Sequence, residues 1–196
     1  MVCISKAKPN ECKTPDLLIA PRRPACYLQK DDPKPEEKPI LSLLQQSSIV
    51  IDTVAAPVEW VYGFTFKVKS DGIITKIGMK LPVTGTFTAK LWDMDENKVI
   101  REVTLIGASV HQEVFEDFDD VAVNEAMTLG VSITANGYYK ISKADATPFA
   151  FPIQTTGTTI LSFHEDKLSD IPSGIFPLTI NQQELSPCVD VVFIDQ

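Results

Sequence analysis

An all-β fold is predicted for this 196-residue chain: an antiparallel β-sandwich of jelly-roll type with about ten strands, behind a disordered N-terminal lead. Three observations lead there. Apolar and polar residues alternate with period two in short runs from Ile49 onward, as strands with one buried face require. Turn signals recur roughly every 8 to 12 residues with no helical periodicity between them. Seven of the 14 prolines fall in the first 39 residues, while all nine glycines lie at or after Gly63, so the lead and the body are different polymers. A barrel is the alternative to the sandwich.

Residues 1–40 are assigned to the lead and its spacer, and 48–196 to one sandwich domain. Leu41 to Gln46 fit either a short helical turn or a first strand. In Gly63 to Lys69, Phe64, Phe66 and Val68 share a face opposite Thr65, Lys67 and Lys69. Asp71-Gly72 supplies a turn tolerant of positive φ, after which Ile73, Thr75, Ile77, Met79 and Leu81 share a face. Phe87, Ala89 and Leu91 alternate with polar neighbours, and the turn Asp93 to Lys98 closes a hairpin with Val99 to Ile106. Further strands are expected at Val110 to Phe118, Val121 to Val123 and Thr128 to Ala135. A turn at Asn136-Gly137 then precedes Tyr138 to Ser142, Thr158 to His164 and Val189 to Ile194.

Charge separates along the chain. Residues 1–30 carry six Lys/Arg against Glu11 and Asp16, net +4, which leaves 12 basic against 24 acidic residues, net −12, in the remainder. A body of that sign repels phosphate backbones, and no basic stripe interleaves with aromatics, so nucleic acid is excluded as a partner. No run approaches the roughly 18 apolar residues of a spanning helix. Cys3, Cys12, Cys26 and Cys188 form no Cys-x-x-Cys pair, and the body's single cysteine has no internal disulfide partner.

Lys30 to Pro39 reads KDDPKPEEKP, a charged, proline-spaced segment expected to run extended as a spacer. Its place shortly after Ala25-Cys26 resembles the tether that follows the lipidated cysteine of bacterial surface lipoproteins. The resemblance makes Cys26 a candidate lipidation site and the cell envelope or exterior the expected location, with membrane contact only through that anchor. Pro21, Arg22, Arg23 and Pro24 occupy the place of the apolar segment that such a signal needs, so a cytoplasmic chain with a disordered tail is the alternative.

The segment Leu91-Trp92-Asp93-Met94-Asp95-Glu96-Asn97 resembles the Leu-Trp-Asp-x-Asp-Gly hairpin of the bacterial domain-of-unknown-function family 4082. Gly63 to Phe66 with Gly72 to Ile77 is similar to that family's opening strand pair. Val121 to Val123 with Leu129 to Ser132 is similar to the pair after its middle loop, and Val189 to Phe193 to its last strand. The resemblance covers about residues 58–194. It implies a jelly-roll-like sandwich of exported and cell-surface bacterial proteins, often beside adhesive or carbohydrate-active modules, and implies no catalytic residues.

Candidate sites are few. Asp93, Asp95 and Asn97 have the alternating oxygen donors that open a calcium loop, but the sixth and twelfth positions are Lys98 and Thr104 where Gly and Glu belong, so a polar hairpin turn is the competing account. Glu113, Glu116, Asp117, Asp119 and Asp120 could gather a cation or could blunt a sheet edge. His111 and His164, the two histidines, are paired with no nucleophile by any motif. Trp60, Tyr62, Tyr138 and Tyr139 lie near strand ends, where aromatic faces can stack on the apolar face of a sugar ring or pack across strands.

The expected function is a non-catalytic recognition or adhesion module at the cell envelope, with a glycan or a surface protein as partner. The expectation includes no cofactor, calcium being the one candidate. A structural or protein-interaction module without a small ligand is the alternative. The third reading is a hydrolase whose carboxylates come from distant strands and leave no local motif.

Overall fold

Alternation along a strand turns successive side chains to opposite faces, so each half-apolar run must find a second sheet to cover it. The computed structural model describes residues 34–44, 49–172 and 174–196. In chain order the elements are β1 (Glu36–Glu37), α1 (Pro39–Leu44), β2 (Ile49–Val68), β3 (Gly72–Lys80), β4 (Gly85–Asp93), β5 (Lys98–Gly107) and β6 (Glu113–Val123). There follow β7 (Leu129–Lys143), β8 (Ile153–Gln154), β9 (Thr158–Lys167), a 3₁₀ turn (Leu168–Asp170) and β10 (Val189–Asp195). They form a four-stranded sheet in the order β1-β10-β3-β6 and a six-stranded sheet in the order β5-β4-β7-β2-β9-β8. Every pairing is antiparallel. From β2 to β7 the chain passes repeatedly between the sheets, in jelly-roll fashion.

The core lies between the sheets and follows the alternation except on β3, where Thr75 bulges out of register with β10 and Ile74 takes the buried place expected of Ile73 and Thr75. Phe64 and Phe66 on β2 are fully buried, with ring centroids 5.4 Å apart, and Phe163 of β9 packs 5.6 Å from Phe64. Each such ring contributes about 1.5–3 kcal/mol by leaving water. Ile74 and Ile77 of β3 and Val191 and Phe193 of β10 belong to the same core.

Three further expectations change, and one open assignment resolves. The spacer expected over Lys30 to Pro39 does not reach Pro39. Glu36 and Glu37 pair with Ile194 and Phe193, and the Glu37 carboxylate is held by the hydroxyls of Thr155 and Thr158 and the Gly157 amide. The folded domain therefore takes in Glu36 to Leu44. The open assignment at Leu41 to Gln46 resolves over the described residues as α1, beginning at Pro39, where a missing N–H costs nothing. Ile40 and Leu43 of this helix are buried, and Asp190 caps it by accepting from the Ile40 and Leu41 amides, each at 3.1 Å.

Asn136-Gly137 is not a turn. β7 runs straight through it, and the irregularity falls on β2, where Ala55 pairs with Gly137 and Trp60 with Ala135. Ala56 to Glu59 bulge out opposite Asn136, with Pro57 in the bulge, where no ladder amide is needed. Gly137 is required for close packing, because a Cβ there would lie 2.5 Å from Val83 Cγ1. Finally, Val110 to Gln112 lie outside any strand. The two strands expected around Asp119 are one, β6, whose register slips between Ile74 and Lys76 of β3. The lead up to residue 33, including Cys26, lies outside the described residues. No helix among the described residues is long and apolar enough to cross a membrane.

Candidate functional site

The β2 bulge opens a cleft of about 220 Å³ lined by Val54, Ala55, Ala56, Pro57, Trp60, Tyr62, Tyr138 and Glu165. Trp60 and Tyr62 are two residues apart on β2, so their rings share a face. Their planes are inclined by 14° with centroids 6.4 Å apart. Tyr138 of β7 brings its ring to 5.1 Å from that of Tyr62. Trp60 and Tyr138 are half-buried, whereas Tyr62 is 1% exposed. Lys167, paired with Trp60 across β2 and β9, holds its ammonium 5.8 Å from the indole.

Glu165 is the carboxylate of this cleft. It pairs with Tyr62 across the β2–β9 ladder, and both its oxygens are fixed from the C-terminal segment: Asn181 Nδ2 donates to Oε1 and Ser186 Oγ to Oε2, each at 2.9 Å. Burial, reinforced by Glu165, pushes the Tyr138 hydroxyl above its ordinary pKa. Burial, followed by the fields of Cys188, Tyr138 and Glu165, raises that of Tyr62 further. Both phenols stay protonated donors. The Tyr62 hydroxyl is buried and has no hydrogen-bond partner among the described residues. Glu165 was not singled out in the sequence, yet it left a signal: it stands two residues after core Phe163, a carboxylate at an inward position of an alternating strand.

Tyr139 does not join this cleft. Its neighbour Tyr138 takes that side, and alternation turns Tyr139 to the other, where it is 8% exposed and its hydroxyl shares a 2.5 Å hydrogen bond with His111 Nδ1. His164 also has a hydroxyl partner that no motif announced. Ser162 Oγ lies 2.7 Å from His164 Nε2 and 2.6 Å from Thr65 Oγ1. Burial depresses the imidazole pKa, which keeps it neutral. Among the described residues no carboxylate completes a triad: His164 Nδ1 is buried without a partner there, and the carboxylate of Asp166 is occupied by the amides of Leu178 and Thr179 and the Thr179 hydroxyl.

The calcium-like run at Asp93, Asp95 and Asn97 spends its donors on the β4–β5 hairpin. Asp93 Oδ1 accepts from the amides of Asp95 at 2.9 Å and Glu96 at 3.0 Å, Asp95 Oδ2 accepts from the Thr128 amide at 2.9 Å, and Asn97 takes the left-handed conformation with φ of 51°. Along β6, Asp117 pairs with Lys76 at 3.2 Å and Glu113 with Lys80 at 3.5 Å. Among the described residues no three His, Cys, Asp or Glu side chains gather in a way that would hold a metal ion. Comparison of the whole chain with family models, characterised proteins and solved structures returns no match, so the likeness to family 4082 rests on the quoted segments alone.

Proposed function

We propose that this domain is a non-catalytic recognition module and that the cleft of Trp60, Tyr62, Tyr138 and Glu165 receives a sugar residue of a glycan. The observation that carries the reading is three aromatic rings around one fixed carboxylate in a cleft of about 220 Å³. The half-buried faces of Trp60 and Tyr138 match the apolar face of a pyranose, and Glu165 offers its remaining lone pairs to sugar hydroxyls. Recognition is favoured over hydrolysis because glycoside cleavage uses two carboxylates roughly 5–9.5 Å apart, and Glu165 is the one carboxylate among the described residues of the cleft. A glycan array probed with the full chain, followed by titration of any hit, tests the reading. A hit whose affinity falls at least tenfold in Trp60→Ala supports it, and an array without hits ends it.

We place the module at the cell envelope, in the company of exported proteins of the family 4082 type, with Cys26 as the anchor. The tether available between Cys26 and the first paired residue, Glu36, is shorter than the sequence suggested. Mass spectrometry of the native N-terminus decides: a lipidated Cys26 supports the placement, and an unmodified Met1 in the cytoplasm overturns it.

A further inference from the structure

The outer face of a sandwich sheet ordinarily meets water, but here the outer face of β4, β7 and β2 is roofed by the segment that follows β9. Phe176 pins that roof. It is 1% exposed, sits edge-on to Trp92 at 5.8 Å and to His164 at 5.2 Å, and lies over Gly63 and Gly130. A Cβ on Gly130 would come within 2.9 Å of the Phe176 ring and one on Gly63 within 3.1 Å, so both glycines make room for it. Asp166 fastens the far side through Leu178 and Thr179. Between the 3₁₀ turn at Leu168 and the Phe176 pin, Ile171, Pro172, Gly174 and Ile175 stand off the sheet and leave a cleft of about 290 Å³.

The floor of this cleft sets polar side chains between Val61 and Trp92, whereas its roof is apolar. Thr88, Lys90, Ser132 and Thr134 face into it from adjacent strands, with Lys90 paired to Ser132 across β4 and β7 and Thr134 to Val61 across β7 and β2. Ser132 is 2% exposed, and its oxygen accepts from Trp92 Nε1 at 2.9 Å, which leaves its own O–H to donate. Lys90 is the one charged residue among the described lining residues, a local reversal of sign in a chain of net charge −8. Its ammonium lies 6.0 Å from the Trp92 ring and 3.0 Å from Glu102, a carboxylate 57% exposed. An ion pair so open to water is weak, so exchanging Glu102 for another anion costs little.

We propose that this cleft is a second binding site, separate from the aromatic cleft, for a small oxyanion carried on an apolar body, such as a medium-chain carboxylate. The anion would meet Lys90 and the hydroxyls of Thr88, Ser132 and Thr134, and the body would lie under Leu168, Ile171 and Ile175. Neither a bare anion nor a neutral hydrocarbon uses both walls.

The chain's two tryptophans separate this site from the aromatic cleft. In a Trp60→Phe background, Trp92 alone reports, whatever becomes of the sugar site. Titration with octanoate is expected to give a saturable change in Trp92 emission, with octan-1-ol at least tenfold weaker. Lys90→Met is expected to weaken octanoate at least tenfold, and Lys90→Arg to keep it within about threefold, which separates loss of charge from loss of fold. Amide shifts in the octanoate-bound protein should cluster at residues 88–92, 132–134, 168–171 and 174–175. No saturable change, equal affinity for octan-1-ol, an unaffected Lys90→Met variant, or shifts centred elsewhere would each overturn the proposal.

Discussion

Tyr138 and Tyr139 are neighbours in sequence and end on opposite sides of β7, the first against Tyr62 and the second against His111. Period-two alternation requires that separation, so four aromatics near strand ends could not all line one cleft. Tyr62 carries a cost visible only at this scale. Its hydroxyl is buried without a partner among the described residues, which forfeits about 1–3 kcal/mol of solvation. Tyr62→Phe keeps the ring contacts with Trp60 and Tyr138 and removes the orphan group. Urea denaturation is expected to show a variant as stable as the parent or more stable by about 1 kcal/mol. A loss of more than about 1 kcal/mol would reveal a hydroxyl partner that the structure lacks.

Among the elements, α1 depends on a residue 150 positions away. Asp190 is buried on β10 and caps the helix with its carboxylate, while Lys38 lies close enough to favour its charge. Burial outweighs the Ile40, Leu41 and Val191 amides and Lys38, raising the Asp190 pKa from 3.8 to about 7. A carboxyl with a raised folded-state pKa binds its proton more tightly when folded. Its contribution to stability is therefore complete below the unfolded value of 3.8 and is lost as pH rises through about 7. Comparing urea midpoints of the parent and Asp190→Asn from pH 4.5 to 8.5 isolates this group, since other carboxylates titrate alike in both. The parent is expected to lose ground to the variant as pH rises, and a constant gap would falsify the assignment. Nothing within KDDPKPEEKP discloses this role, because the groups that hold Glu37 and α1 belong to β10 and the loop before β9.

At the scale of the whole molecule, the four-stranded sheet ends in β6, an edge of eleven residues. Five carboxylates stand along it, of which Glu113 and Asp117 are paired with Lys80 and Lys76. Unpaired edge amides invite a second chain, and a row of like charges repels its own copy. Replacing Glu113, Glu116, Asp117, Asp119 and Asp120 by their amides is expected to produce dimers and larger species in sedimentation velocity at low salt. A variant as monodisperse as the parent would show that the edge is protected by its twist instead.

Apart from the β3 face, which a bulge shifts to Ile74, and the choice of sandwich over barrel, the sequence by itself determined the all-β class, most strands and their buried faces. These follow from spacing between near neighbours, as in Phe64, Phe66 and Val68 or the hairpin through Asp93 and Lys98. It also placed Trp60, Tyr62 and Tyr138 among the residues to watch. Tertiary structure alone decided that the kink falls on β2 at Ala56 to Glu59, that Glu165 completes the aromatic cleft, and that Phe176 roofs the outer face over Gly63 and Gly130. The physical reason is range. Periodicity reports which side of its own strand a residue occupies, whereas a cleft is made by which strands meet, in which register, and by which distant side chain fills the gap between them.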